Sequence, residues 1–265
     1  AFSSAAQIMR EKQDLLNREA LDVVFACVLG RAPPLDSLPS HEQPARSRTP
    51  RCPLIIANLA AAEHLLLCFD LWQGAQEGLQ GVMFGWLLDA VGGFERHVNL
   101  AQLRRLNLVQ RLLSYVTQSE LPDVMFADAR ALLRMCLVGP DANAKEQRRR
   151  FALVAGTCVA LMMEARSGTR LVTAMAVGDG GGGLLSAPWR TRLLENLLQL
   201  LVEVATLESD EGVRKALFDA MDYELLFVLI NGRDAHARAS ALAFTLLRAL
   251  VVLPAEFTQW LTPLC

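Results

Sequence analysis

The sequence predicts an all-α fold, an armadillo- or HEAT-like superhelix of stacked helices. Hydrophobic residues make up 52% of the 265 residues, which is enough to bury a sizeable core. Apolar residues recur at helical spacing, and no segment alternates with the period of two that a strand requires. The segment 188–208 is apolar on more than one face, so it needs neighbours on two sides, as stacked helices provide.

The chain opens with an amphipathic helix predicted over 4–29, followed by a flexible segment. Gly30 is expected to end this helix, because glycine adopts the left-handed conformation of a helix C-terminus. Prolines then recur throughout 31–53 and leave no room for a helix. We interpret 31–53 as a flexible Pro-rich insertion.

The rest of the sequence predicts a succession of helices that are separated by glycine, proline and capping residues. They are predicted near 54–73, 77–91, 99–117, 122–138, 143–166, 188–208, 211–220, 222–230, 235–252 and 254–262. Gly92 and Gly93 end one of them, Pro122 suits a first turn, and Asp234 suits an N-cap. The glycine-rich stretch 177–187 is a flexible loop. We therefore expect one armadillo-like domain over 1–265, and a fragment of a larger protein, since both ends stop in mid-pattern.

Three patterns that could carry chemistry are each incomplete. The GDGGGG run at 178–183 lacks the Lys-Ser/Thr and the preceding strand of a phosphate-binding loop. His64 and Cys68 share a helix face but supply only two of the four ligands of a zinc site. Ser114 and Ser186 have no recognisable general base in their sequence neighbourhood. We expect no enzyme activity, no cofactor, no metal and no small-molecule substrate.

The net charge and one arginine cluster indicate which kinds of partner to expect, and the cysteines indicate the cellular compartment. The net charge of −2 argues against a nucleic-acid binder, which would be basic. The cysteines form no CxxC pair and sit mostly among apolar residues, which favours reduced thiols in the cytoplasm. Arg148, Arg149 and Arg150 form the charge cluster proposed to bind an acidic partner or an anionic membrane. The alternative is a solvated helix face, since Glu146 interrupts the positive charge.

Two segments resemble a known family. AAEHLLLCFDLW at 61–72, followed by NLAQLRRLNLVQRLL at 99–113, resembles the armadillo-like region upstream of the BEACH domain in beige- and neurobeachin-like trafficking scaffolds. The stretch at 225–251 is similar to the helical units of the same region, whereas the insertion 31–53 departs from the family pattern. The resemblance implies a non-catalytic, protein-binding part of a large cytoplasmic scaffold in vesicle, lysosome or autophagy traffic, with peripheral association to endomembranes through the larger protein.

The sequence is also compatible with two other functions. One is a generic armadillo or HEAT adaptor with an unrelated partner, such as a nuclear-transport or phosphatase scaffold. The other is a helical enzyme, which a cleft with convergent titratable groups of perturbed pKa would favour.

Overall fold

A computed structural model describes residues 2–31, 54–73, 75, 78–118, 120–138, 143–175, 188–208, 210–221 and 237–250. Over 164–175 it describes the helix but not the side chains. Every regular element in these ranges is helical, so the all-α prediction is confirmed for the part of the chain described. The chain divides into two compact units, 1–141 and 142–265. The armadillo-like superhelix, and a single domain over 1–265, stay predictions.

The first unit contains eight α-helices in its described residues. They are α1 (Phe2–Glu11), α2 (Arg18–Val28), α3 (Leu59–Ala61), α4 (Phe69–Gln73), α5 (Leu79–Gly92), α6 (Arg96–Arg105), α7 (Leu108–Gln118) and α8 (Asp123–Val138). A 3-10 turn (Gln13–Leu15) lies between α1 and α2, and a π-helical turn (Ala62–Leu66) extends α3. The described part of the second unit contains α9 (Ala144–Met175), α10 (Pro188–Leu207), α11 (Glu211–Ala220) and α12 (Ala237–Leu250).

Three helices predicted as continuous are interrupted or shortened, and an asparagine starts a new helix in each; the predicted 54–73 is also broken at Leu67 and Cys68, before α4. The Asn17 side chain accepts from the Ala20 amide at 3.0 Å, so a new helix starts within the predicted 4–29. Asn58 caps Ala61 in the same way at 3.1 Å, after an extended stretch 54–58 that was predicted as helix. Asn107 has a φ of 55° and divides the predicted 99–117 into α6 and α7. Asparagine favours both roles, because its short amide competes for backbone hydrogen bonds and tolerates the left-handed region.

Several predicted helix ends agree with the structure. After α2, the Gly30 amide donates to Cys27 and the Arg31 amide to Ala26, with a φ of 65° at Gly30. This bonding pattern is the Schellman motif, which uses a glycine in the left-handed conformation. Helix α5 ends at Gly92 with Gly93 as its C-cap, and α8 begins directly after Pro122.

Other predicted ends differ or lie outside the described residues. Helix α9 continues to Met175, beyond the predicted end at 166, because nothing between these positions is a glycine–proline stop. The segments 32–53 and 177–187, the helices at 222–230 and 254–262 and the cap at Asp234 lie outside the described residues. No described helix is both long enough and apolar enough to cross a membrane.

The core of the first unit combines aromatic stacking with one buried amide. Phe69 stacks on Phe84 with ring centroids 5.5 Å apart and lies 5.3 Å from the ring of Tyr115. The fully buried Asn99 accepts from the Ile56 amide at 2.9 Å and donates to the carbonyl of Ala90 at 2.7 Å. It also donates to the Leu54 carbonyl, so one side chain holds the extended stretch 54–58 against the end of α5.

Helix α10 is the centre of the described part of the second unit. It contacts α9, α11 and α12. The buried side chains cover more than one of its faces: Leu193, Leu194, Leu197, Leu198, Leu200, Leu201, Val202, Val204 and Ala205. The prediction of a helix buried on most sides is therefore confirmed, except at Leu207, which is 69% exposed at the C-terminal end.

Candidate functional site

A polar cleft of about 430 Å³ opens in the first unit where α1, α4 and α7 meet. Its floor is apolar and consists of Leu67, Phe69 and Tyr115. Its walls are polar and comprise Arg10, Cys68, Asp70, Asn107, Gln110, Arg111 and Ser114. The volume lies within the range of ligand-binding pockets, roughly 300–1,000 Å³.

Local sequence places the polar wall of α7. Leu112, Leu113 and Val116 are buried on one face of α7, so the residues at helical spacing on the other side face outward. Gln110 and Ser114 are four residues apart and both are exposed at the cleft. The left-handed turn at Asn107 starts this helix and brings a third polar side chain to the same wall.

The opposite wall follows from the bend between the π-helical turn and α4. The indole of the buried Trp72 donates to the Leu65 carbonyl at 2.9 Å, which ties α4 back onto the preceding turn. Cys68 lies in this bend, Asp70 follows it in the first turn of α4, and both line the cleft. Gln13 donates to the backbone carbonyl of Asp70 at 3.0 Å, so the segment after α1 also holds the bend.

Two arginines line the cleft, and they differ in whether a carboxylate of the described residues neutralises their charge. Arg111 Nη2 lies 2.9 Å from Glu63 Oε1, and its Nε donates to the Leu106 carbonyl at 3.0 Å. The charge of Arg111 is therefore balanced inside the unit. Arg10 Nη2 instead donates to Cys68 Sγ at 2.9 Å, and within the described residues no carboxylate forms an ion pair with it.

The floor of the cleft holds a buried phenol. Burial raises the pKa of Tyr115 above its usual value of 10.0, partly offset by the hydrogen bond from Gln80, while the charge of Asp70 raises it further. The Gln80 amide donates to the Tyr115 hydroxyl at 2.7 Å. The hydroxyl is therefore protonated at neutral pH, and the hydrogen bond from Gln80 holds it in place.

The structure separates the predicted candidate residues. His64 is exposed on the π-helical turn, while Cys68 faces the cleft and bonds Arg10. The described residues hold no group of three or more His, Cys, Asp or Glu side chains arranged to bind a metal. Ser114 lines the cleft, where its hydroxyl accepts from Gln118 at 3.4 Å, and Ser186 lies outside the described residues.

The predicted arginine cluster does not form a patch of three exposed side chains. Arg148 and Arg149 are exposed on α9, whereas Arg150 is 8% exposed. The reason is helical register, since Arg150 lies beside Phe151 and one turn before Val154 on the buried face. An acidic partner or an anionic membrane could therefore meet two of these arginines at the surface.

Charge reversal of Arg148 and Arg149 on α9 should distinguish a binding surface for anions from a merely solvated helix face. We expect the double substitution R148E/R149E to change the free energy of unfolding by less than about 1 kcal/mol, because exposed substitutions have small effects. If the exposed pair binds anionic vesicles, the double variant should bind them less and the binding should fall as salt rises. Vesicle co-sedimentation at two salt concentrations measures this, and binding that ignores both changes would exclude the pair.

The described cysteines should differ strongly in reactivity. Complete burial raises the pKa of Cys158 to about 12, and Cys136 is equally buried. Because the thiolate is the reacting species, both should resist a maleimide at pH 8 until the protein unfolds. Cys27 and Cys68 are partly exposed and should label in the native state. Peptide mapping after a short pulse measures this, and rapid native labelling of Cys158 would contradict the packing of α9.

Comparison with known protein families, with characterised proteins and with solved structures finds no match to this chain.

Sequence reasoning missed most of the cleft. The polar spacing of Asn107, Gln110, Arg111 and Ser114 within a leucine-rich segment was a usable signal, because it marks a solvent-facing stripe. No comparable signal existed for Arg10, which meets Cys68 across 58 positions of sequence.

Proposed function

We propose that this chain is a non-catalytic protein-interaction region of a large BEACH-type scaffold in vesicle, lysosome or autophagy traffic. The family assignment rests on the residue order at 61–72 and 99–113. The cytoplasmic location and peripheral association with endomembranes follow from that assignment and belong to the same proposal.

The single observation that supports a binding role is the composition of the cleft. Its walls carry a guanidinium group, a carboxylate, two carboxamides and a hydroxyl at the surface, above an apolar floor. These groups can recognise a ligand by hydrogen bonding and charge. Helical surfaces also bind extended and helical segments of partner proteins.

Site-specific photo-crosslinking tests the binding role. A benzophenone amino acid replaces Ser114 in the cleft, and in a matched variant it replaces Ala127, which is exposed on α8 outside the cleft. We expect irradiation in cells to yield a discrete protein adduct from position 114 and at least fivefold less of it from position 127. Equal yields at both positions, or no adduct at either, would contradict binding through this cleft.

The family assignment has a separate test. Reading the transcript downstream of the codon for Cys265 should reveal a PH-like domain, a BEACH domain and WD40 repeats. A transcript that encodes another type of domain there would replace the BEACH assignment with the generic adaptor, while the crosslinking result would still decide whether the cleft binds protein.

A further inference from the structure

The exposed guanidinium of Arg10 is positioned at the cleft with most of its donors open. Its one hydrogen bond among the described residues goes to the Cys68 sulfur at 2.9 Å, and sulfur is a weak acceptor. A guanidinium has five N–H donors in a fork that matches a carboxylate. Arg111 provides the internal contrast, because Glu63 already occupies its guanidinium at 2.9 Å.

The wall of α7 supplies further donors beside Arg10. Asn107 and Gln110 are exposed, and within the described residues their carboxamides form no hydrogen bond. A carboxamide donates two N–H groups and accepts through its oxygen, so it can bond both a carboxylate and a peptide group. This combination suits an acidic residue that is part of a polypeptide.

The charges around the cleft disfavour a more strongly charged anion. Asp70 contributes a carboxylate to the lining, and Glu63, which is not a lining residue, balances the charge of Arg111. A phosphate group carries nearly two negative charges and would meet this carboxylate with only Arg10 uncommitted. A single side-chain carboxylate needs one guanidinium, and neighbouring peptide N–H groups of the same ligand can bond Asp70.

We propose that the cleft binds a short acidic segment of a partner protein, with one Asp or Glu carboxylate paired to the Arg10 guanidinium. This inference rests on the proposed function, since it names the ligand of the same cleft. Binding moves the Arg10 donors from the Cys68 sulfur to the carboxylate and covers Cys68. The Gln110 and Asn107 carboxamides bond the adjoining peptide groups.

Binding to two matched peptide pools tests the charge requirement. One pool contains random nonapeptides with a fixed central Glu, and the other has Gln at that position, each captured on beads and exposed to the full chain. We expect the Glu pool to retain at least tenfold more protein, the ratio that one charge-assisted pair supports. Equal retention on both pools would overturn the proposal.

Substitutions of Arg10 assign the effect to this site. We expect R10Q to abolish the preference for Glu, and R10K to retain part of it, because lysine keeps the charge and loses the fork. R134Q is the matched control, since Arg134 is exposed on α8 and does not line the cleft. A preference for Glu that survives in R10Q would overturn the proposal, and circular dichroism of each variant verifies that it is folded.

Protection of Cys68 provides a readout independent of retention on beads. The eluted Glu peptides should slow maleimide labelling of Cys68 at least fivefold, while labelling of Cys27 on α2 stays unchanged as the internal control. Inorganic phosphate and a phosphoserine nonapeptide are the competing probes. If these protect Cys68 through Arg10 and the Glu peptides do not, the site is a phosphate site and the proposal fails.

The results that would reject an acidic ligand differ from the results that would reject protein binding through the cleft. An adduct from position 114 together with equal retention of the Glu and Gln pools leaves a protein-binding cleft whose ligand is not acidic. No adduct from position 114 rejects the proposed function.

Discussion

Replacing Leu197 by aspartate should destabilise the second unit by about 3–5 kcal/mol, the cost of an uncompensated buried charge. Leu197 is 1% exposed in the middle of α10, the helix that α9, α11 and α12 contact. Because Leu197 is almost completely buried, a carboxylate at this position cannot reach solvent. Urea unfolding followed by far-UV circular dichroism measures the loss.

The control for this variant lies on the same helix. Leu207 is 69% exposed, and L207D should cost less than about 1 kcal/mol, mainly through an acid near a helix C-terminus. A free energy of unfolding for L197D within about 1 kcal/mol of the parent would mean that α10 is not central to this unit.

Replacing Asn99 by leucine should destabilise the first unit by about 3–5 kcal/mol, with each stranded polar group contributing about 1–3 kcal/mol. Leucine has a similar volume but removes the acceptor for the Ile56 amide and the donors to the carbonyls of Ala90 and Leu54. Asn99 is fully buried, so water cannot replace all of these partners.

The effect should be visible locally as well as globally. In N99L the Ile56 amide should exchange with solvent far faster than in the parent, because its acceptor is gone. Q102L, an amide-to-leucine change on the same helix at a half-exposed position, is the control and should cost less than about 1 kcal/mol. Unchanged protection of Ile56 in N99L would contradict the role of Asn99 in holding 54–58.

Helices could be predicted from the sequence where the spacing of their own apolar residues and their own end residues define them. The leucines of α10 identify a buried helix because their spacing covers more than one face, and Gly30 marks a helix end because it adopts the left-handed conformation. Arg150 was predicted at the surface from its charge, although its register with Phe151 and Val154 already indicated burial.

The breaks and the cleft could not be predicted in the same way. Whether an asparagine interrupts a helix depends on a balance of a few tenths to about 2 kcal/mol between capping and helix continuation, which neighbouring packing decides. Asn17 and Asn107 both lie inside apolar patterns that read as continuous. The meeting of Arg10 with Cys68 depends on the packing of α1 against the bend before α4, which no local pattern encodes.

The central claim is that this chain binds a partner protein through the cleft and that Arg10 holds it there. The most direct measurement is the yield of the adduct from the photo-crosslinker at position 114 in the parent, in R10Q and in R134Q. We predict at least a fivefold lower yield in R10Q and an unchanged yield in R134Q. The same yield in all three proteins would contradict the claim.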